Sequence, residues 1–71
     1  MLRAYGLSAR EREVARFVML GRTTPQIGAA LFISPHTVQD HLKAIFEKVG
    51  VHGRKELVGH VFFEHYLPGI D

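Results

Sequence analysis

The side chains best suited to chemistry lie within residues 35–49, where Gln39, Asp40 and Lys43 share one face of a predicted helix. Lysine can donate to guanine, glutamine can bond adenine at two atoms, and aspartate can accept from the cytosine amino group. A rigid helix held clear of its own domain fits the major groove of DNA. Polar residues at this spacing also occupy ordinary solvated helix faces, so residue type alone leaves both interpretations open. These three residues are called the polar set below.

The helix that must position the polar set has clear limits in the sequence. Ser34 and Pro35 form a cap followed by a proline, and Gly50 suits the left-handed residue that ends a helix. Between them, apolar residues recur every three or four positions: Val38, Leu42, Ile45 and Val49. This stripe predicts a buried face, with the polar set and Glu47 pointing away from it.

A shorter helix is predicted just before this one. Thr24 is its expected N-cap, Pro25 suits the first helical position, and Ile27 and Leu31 form its apolar stripe. Because Pro35 disfavours helical backbone at the residue before it, the chain must reverse there. Residues 24–43 therefore predict two short helices joined by a tight turn.

Two further helices complete the predicted scaffold. Ser8 and Glu11 have the spacing of a capping box, and Gly21 is expected to end the first helix. The last helix is expected from about Arg54 to Tyr66, stopped by Pro68–Gly69. No stretch alternates with period two as a strand would. The sequence thus predicts an all-α, four-helix domain over residues 1–71, with its core in residues 7–66.

The last predicted helix has more apolar surface than one buried face requires. Leu57 and Val61 form one stripe, with Val58, Phe62 and Phe63 beside it. Exposed apolar patches of this kind usually mark a partner surface. The second group is therefore expected to mediate dimerisation, while packing of one broad stripe against the first helix stays an alternative.

Composition limits the classes of protein to consider. The chain has 71 residues, no cysteine and a formal net charge of +2, so disulfides and thiolate metal sites are excluded. No apolar run approaches the ~20 residues of a membrane span, and no signal peptide appears, so a cytoplasmic protein is expected. The charge is uneven: residues 1–22 hold five arginines against two glutamates, whereas residues 23–71 hold four cations against five anions. A basic stripe is absent from the helix that carries the polar set.

Metal binding and catalysis are both disfavoured by the sequence. The histidine pairs His36/His41 and His60/His65 are five residues apart, which is the wrong spacing for shared ligation on a helix. The two serines have the positions of helix caps, and no phosphate-binding glycine loop or nucleophile turn occurs. We therefore expect neither a metal nor an enzyme. Protonation of His36 or His41 is expected to strengthen contact with phosphate, as an affinity that rises between pH 8 and 6 would show.

Residues 7–57 resemble the LuxR-type (GerE-like) DNA-binding domain of bacterial transcription regulators. The matching residues keep fixed spacing over three segments: Leu7, Ser8, Arg10–Val14 and Gly21; Ile27, Leu31, Ile33, Ser34, Thr37, Val38 and His41; Ile45, Lys48–Val51 and Arg54. So many matches at fixed positions are more specific than a generic helix-turn-helix pattern.

The resemblance implies a fold of the LuxR C-terminal effector-domain type, whose third helix (about 35–49) reads the major groove and whose fourth mediates dimerisation. Base contacts carried over by position fall on Gln39, Asp40 and Lys43. DNA backbone contacts fall on Thr24, Gln26, Ser34, Thr37, His41, Lys48 and Arg54. Thr37 as a local cap and Lys48 as a charge that stabilises the helix C-terminus are the alternatives for two of these. The implied partners are double-stranded operator or promoter DNA, a second copy of the chain and RNA polymerase, with no cofactor.

Four residues depart from the family pattern. Gln39 stands where the family usually has Lys or Arg, and Asp40 would repel DNA unless it accepts from cytosine or pairs with Lys43. Gly28 replaces a usual alanine at a cost of roughly 1 kcal/mol to its helix. Gly53 stands where a side-chain cap is common, so the last helix is expected to start loosely. A protein-interaction module that uses the last helix and binds DNA weakly therefore stays open as a second hypothesis.

Overall fold

The computed structural model describes residues 5–66, with side chains described for residues 5–64. Four helices follow one another: α1 (Ala9–Met19), α2 (Thr24–Leu31), α3 (Pro35–Val49) and α4 (Arg54–Tyr66). Residues 5–66 contain no strand, and the all-α prediction is confirmed. The predicted stop at Pro68–Gly69 lies outside the described residues.

Side-chain caps define where the first three helices begin. Ser8 and Glu11 form the predicted capping box, with the Glu11 N–H donating to Ser8 Oγ at 3.1 Å and the Ser8 N–H donating to Glu11 Oε1 at 2.8 Å. Ser34 caps α3 as predicted, since the Thr37 N–H donates to its Oγ at 3.1 Å. The prediction for α2 is wrong by one residue: Thr23 is the cap, and Thr24 is already helical.

The α2 cap is also a complete capping box. The Gln26 N–H donates to Thr23 Oγ1 at 3.2 Å, and the Thr23 N–H donates to Gln26 Oε1 at 2.9 Å. A glutamine or glutamate three residues after the cap is what allows this reciprocal pair. Thr23 has such a residue at that spacing and Thr24 does not, which is why the chain selects the earlier threonine.

Glycines end α3 and permit the tight turn after α2. Gly50 has φ 86° and ends α3 as predicted. Gly28 lies inside α2, where a Cβ would approach the Ile33 carbonyl oxygen to 2.6 Å. Gly28 therefore costs α2 some helix propensity but has a structural role. Because it has no side chain, the turn into α3 can pass directly against α2.

A single apolar cluster holds the four helices together. Its fully buried larger members come from every helix: Val14 of α1, Ile27 of α2, Val38 and Ile45 of α3, and Leu57 and Val61 of α4. Leu42 and Val49 complete the predicted buried stripe of α3. Because all four helices share this cluster, the outer face of α3 is presented from a fixed base.

The start of α4 is held by a side chain from within the helix. Glu56 Oε2 accepts from the His52 N–H at 3.1 Å, and the His52 ring Nδ1 lies 3.2 Å from the same oxygen. This carboxylate ties His52, the residue before Gly53, to the first turn of α4, and the loose start expected at Gly53 stays a prediction. No described helix has the length and apolar character needed to span a membrane.

Candidate nucleic-acid interface

The polar set lies on the exposed face of α3. Gln39, Asp40 and Lys43 are exposed, while Val38 and Ile45 have no exposed surface at all. The separation of polar and apolar faces predicted from the spacing is therefore present in the folded chain. These three side chains can reach a surface that approaches α3 from outside.

The turn between α2 and α3 is short and contains an unusual residue. Phe32 ends α2 with φ 60° and ψ 40°, the left-handed conformation that glycine adopts most easily. Its side chain is 94% exposed. Sequence reasoning missed this residue, since a phenylalanine gives no signal for a left-handed turn.

At the start of α3, the candidate backbone-contact residues are also capping residues. Ser34 Oγ lies 3.0 Å from Thr37 Oγ1, in addition to its bond with the Thr37 N–H. Both hydroxyls retain lone pairs, and one proton of the pair is free to donate outward. The helix start also supplies the His36 main-chain N–H and the positive end of the helix dipole, which favour an anion nearby; Pro35 has no N–H, and those of Thr37 and Val38 are bonded to Ser34. His41 is half-buried one turn further along.

The start of α2 lies beside the start of α4. Gln26 uses its side-chain oxygen in the capping box, which leaves its amide NH₂ group exposed. Arg54 Nη1 donates to the Arg22 carbonyl at 2.7 Å, and Arg54 Nη2 donates to Thr24 Oγ1 at 3.1 Å. Thr24, Arg54, Gln39 and Lys43 all line one open groove, so this corner and the polar set share a side of the molecule.

In the folded chain Asp40 lies beside His36 and not beside Lys43. Its Oδ2 lies 3.8 Å from His36 Nε2, one turn earlier on α3, and both side chains are more than two-thirds exposed. Within residues 5–64 no ion pair joins Asp40 to Lys43. The Asp40–His36 contact is an ion pair only when His36 is protonated.

Lys48 is bonded within the protein. Its Nζ donates to Glu11 Oε1 at 2.7 Å, across from α3 to α1, and lies 3.5 Å from the Gly6 carbonyl oxygen. Glu11 is only 8% exposed, and the hydrogen bond from Lys48, followed by the one from the Ser8 backbone, holds its pKa below the usual value. Sequence reasoning recognised Glu11 as a cap but missed its second role. A phosphate contact by Lys48 stays a prediction, for which the ammonium group has one N–H donor beyond those directed at Glu11 and Gly6.

Helix α4 divides its apolar residues between the core and the surface. Leu57 and Val61 are buried, whereas Val58, Phe62 and Phe63 are 36%, 46% and 55% exposed. The division matches the two stripes predicted from the sequence. One apolar face is thereby left on the outside of a small domain.

A polar cluster that the sequence did not reveal joins the N-terminal segment to α4. The Tyr5 hydroxyl lies 2.7 Å from His60 Nε2 and donates to Glu64 Oε1, and His60 Nε2 lies 3.5 Å from the same carboxylate. Burial, followed by the hydrogen bond to Glu64, raises the pKa of Tyr5 to about 12. Tyr5 is more than fifty positions from both His60 and Glu64, so spacing gives no sign of their contact.

Within the described part of the chain, no three His, Cys, Asp or Glu residues are placed to hold a metal ion.

Two short helices joined by a tight turn, the second with an exposed polar face, define a helix-turn-helix domain of the DNA-binding class. The chain belongs to the luxR family of bacterial regulatory proteins, whose family model matches residues 5–61. It is therefore a DNA-binding domain of the kind found in transcription regulators. The resemblance seen in the sequence is confirmed.

Curated relatives support the same assignment. The chain is 39% identical over 61 residues to the probable transcriptional regulatory protein NarL of Mycobacterium tuberculosis, covering 86% of this chain and 28% of that protein. It is 42% identical over 52 residues to the spore germination protein GerE of Bacillus subtilis, covering 73% of this chain and 70% of GerE. The CsgBAC operon transcriptional regulatory protein of Escherichia coli is 36% identical over 52 residues, covering 73% of this chain and 24% of that protein. No solved structure gives a significant match.

Proposed function

We propose that the chain binds double-stranded DNA sequence-specifically, with α3 in the major groove. The exposed polar set, opposite the buried stripe of a helix fixed to its neighbours, is the observation that carries the proposal. Lys43 donates to guanine O6 or N7, Gln39 bonds adenine N6 and N7, and Asp40 accepts from the cytosine amino group. The residues act as the base-reading contacts of one half-site.

The DNA backbone is held from the helix starts on the same side of the molecule. Thr24 and Gln26 supply donors at the start of α2, where Arg54 of α4 is bonded to Thr24 and adds its positive charge, and Ser34 and Thr37 supply donors at the start of α3. Contacts to phosphate fix the register of a protein on the duplex without reading sequence. His41 adds a donor beside them, and Lys48 adds the N–H that is directed at neither Glu11 nor Gly6.

Dimerisation is proposed through the exposed face of α4, formed by Val58, Phe62 and Phe63. A two-fold dimer presents two α3 helices to half-sites about 34 Å apart, one turn of the DNA helix. The proposed partners are therefore operator or promoter DNA and a second copy of the chain. RNA polymerase, which binds at promoters, is proposed as a further partner. The cytoplasm is the proposed location. The chain spans 28% of the length of NarL and 70% of the length of GerE.

Selection of binding sites from random duplex DNA tests the proposal, with wild type compared to Lys43→Ala. We expect Lys43→Ala to cost about 1–3 kcal/mol of binding free energy and to relax the preference at one base position. Lys55→Ala is the matched control, because Lys55 is an exposed lysine on α4, outside the polar set. Equal loss on all sequences would instead make Lys43 a phosphate contact.

A titration of duplex DNA at two salt concentrations separates DNA binding from the protein-interaction hypothesis. Binding should weaken as the salt concentration rises. Each phosphate that the protein neutralises adds about 0.9 to the slope of log K against log salt concentration, so a helix without a basic stripe should give a shallow slope. The exposed apolar face of α4 is what favours the second hypothesis. Absence of binding even at low salt would reject the DNA-binding proposal and favour that module.

A further inference from the structure

We propose that Arg54 is a positioning residue, which acts on DNA by holding Thr24 and the start of α2 in place. The inference rests on the proposed function and assigns Arg54 an indirect part in it. A direct phosphate contact would require only the positive charge of Arg54. A positioning role requires its two specific hydrogen bonds.

The guanidinium of Arg54 joins parts of the chain that are far apart in sequence. It extends from the first residue of α4 to the Arg22 carbonyl at 2.7 Å, 32 residues away, and to Thr24 Oγ1 at 3.1 Å, 30 residues away. The first acceptor lies in the α1–α2 connection, and the second belongs to the first residue of α2. Two donors in a rigid planar fork fix both the position and the direction of the α2 start. A lysine at this place has the charge without the fork.

The bond to Arg54 determines what the Thr24 hydroxyl can do. A hydroxyl has one proton to donate and two lone pairs with which to accept. Thr24 Oγ1 accepts from Arg54, and residues 5–64 provide no acceptor for its proton. The proton is therefore available to an acceptor outside the protein. A hydroxyl polarised by a cation is also a better donor to an anion.

The charge of Arg54 strengthens this effect. Across residues 5–64 no carboxylate lies within 4.0 Å of its guanidinium, and both of its described acceptors are neutral oxygens. Lys48 differs, because its charge is paired with Glu11 at 2.7 Å. Arg54 thus brings an uncompensated positive charge to the half-buried corner where Thr24 lies.

The location of this corner points to the DNA backbone as its ligand. Thr24 and Arg54 line the same open groove as Gln39 and Lys43 of the polar set. When α3 lies in the major groove, residues at the edge of the polar set face the phosphates that border the groove. A phosphate oxygen is the acceptor that the free proton of Thr24 would meet there.

The test measures the affinity of the intact chain for a duplex that the wild type selects from random DNA, at several salt concentrations. We expect Arg54→Lys and Thr24→Val each to weaken binding about three- to tenfold. The double variant should bind as weakly as the weaker of the two single variants, within about 1.5-fold, because the two residues act as one unit. Arg54→Lys should retain the wild-type salt slope, since it retains the charge.

Two controls keep folding and net charge separate from positioning. Thermal unfolding of each variant shows that it is folded at the temperature of the titration, and Thr24→Ser, which retains the hydroxyl, should restore wild-type affinity. Lys55→Gln removes one charge from the neighbouring residue of α4 and should leave affinity within about twofold of wild type.

The outcomes separate the positioning role from the function on which it rests. Wild-type affinity in Arg54→Lys would show that charge alone is required and would overturn the inference while DNA binding stands. Fully additive losses in the double variant would also overturn it, since they would mean two independent contacts. Failure of the wild type to bind any duplex at low salt would reject the proposed function and the inference together.

Discussion

At the scale of single residues, the charge that this domain offers to DNA depends on which cations its own carboxylates neutralise. Lys48 is paired with the largely buried Glu11, while Lys43 and Arg54 have no carboxylate partner among residues 5–64. Asp40 places a negative charge on the same face as Lys43. Electrostatic attraction at this face is therefore modest, and hydrogen-bond geometry has to contribute a larger share of the affinity.

The Glu11–Lys48 pair gives a prediction about stability and pH. Glu11→Gln should lower the free energy of unfolding at pH 7 by about 1–3 kcal/mol, the range for a hydrogen bond to a charged group. Glutamine retains the capping box, so the loss reports the ion pair. The pKa of Glu11 is lowered in the folded chain, so its contribution is present above its ordinary value of 4.5 and disappears as pH falls through the folded value. Urea unfolding at pH 7 and at pH 3 measures the difference in the free energy of unfolding between Glu11→Gln and wild type. This difference should be smaller at pH 3.

The matched control for this prediction is Glu13→Gln. Glu13 is an exposed residue of α1 whose carboxylate lies 3.6 Å from Arg10. An exposed pair of this kind contributes at most about 1 kcal/mol. Equal effects of the two substitutions would contradict the role given to Glu11.

At the scale of helices, local sequence signals predicted most of the scaffold, and contacts between distant residues escaped them. The bounds of α3 follow from Ser34, Gly50 and the residues between them, because caps and apolar periodicity act within a few positions. The α2 cap was misplaced because two threonines stand side by side and only Thr23 has a glutamine at the right spacing. The polar set was predicted correctly as an exposed face for the same local reason.

Side-chain pairing between helices is the part that the sequence could not supply. Glu11 and Lys48 are 37 residues apart, and Arg54 lies 30 residues from Thr24. Each of these side chains has an equally plausible solvated position, and only the packing of α1, α2 and α4 on the core selects the observed partner. Two of the candidate backbone contacts, Lys48 and Arg54, therefore acquired defined partners only in the folded chain.

The turn between α2 and α3 gives a prediction at the same scale. Phe32 has φ 60°, and a left-handed conformation costs a residue with a side chain roughly 1–2 kcal/mol. Its ring is 94% exposed, so little buried surface is lost when it is replaced. Phe32→Gly should raise the free energy of unfolding by about 0.5–1 kcal/mol, after the entropy cost of glycine is subtracted. Thermal or urea unfolding measures it.

Phe32→Ala separates backbone strain from loss of the ring. Alanine removes the aromatic side chain but retains the left-handed strain, so its stability should stay close to wild type. If the glycine variant proved less stable than the alanine variant, the conformation at Phe32 would not be a source of strain.

At the scale of the whole molecule, the exposed face of α4 is small for a permanent dimer. Val58, Phe62 and Phe63 are each between 36% and 55% exposed, whereas stable interfaces bury about 1,200–2,000 Å² in total. Three partly exposed side chains on each copy offer only part of such an area. We therefore expect association to depend on DNA, which brings two copies together at high effective concentration on adjacent half-sites.

A substitution on this face separates dimerisation from DNA reading. Phe63→Glu places a charge on the exposed apolar face while leaving the buried Leu57 and Val61 in place, so the domain should fold normally. On a duplex with two half-sites we expect binding to weaken at least about tenfold, because a charge buried at an interface without a partner is costly. On a duplex with one half-site the affinity should match wild type, since Phe63 lies outside the polar set.

Leu20→Glu is the control, because Leu20 is a 62% exposed apolar residue at the end of α1. Titration of both duplexes measures the affinities, and sedimentation of the complexes counts the protein copies bound to each duplex. Wild-type affinity of Phe63→Glu for the two-half-site duplex would place the dimer contact elsewhere on the molecule.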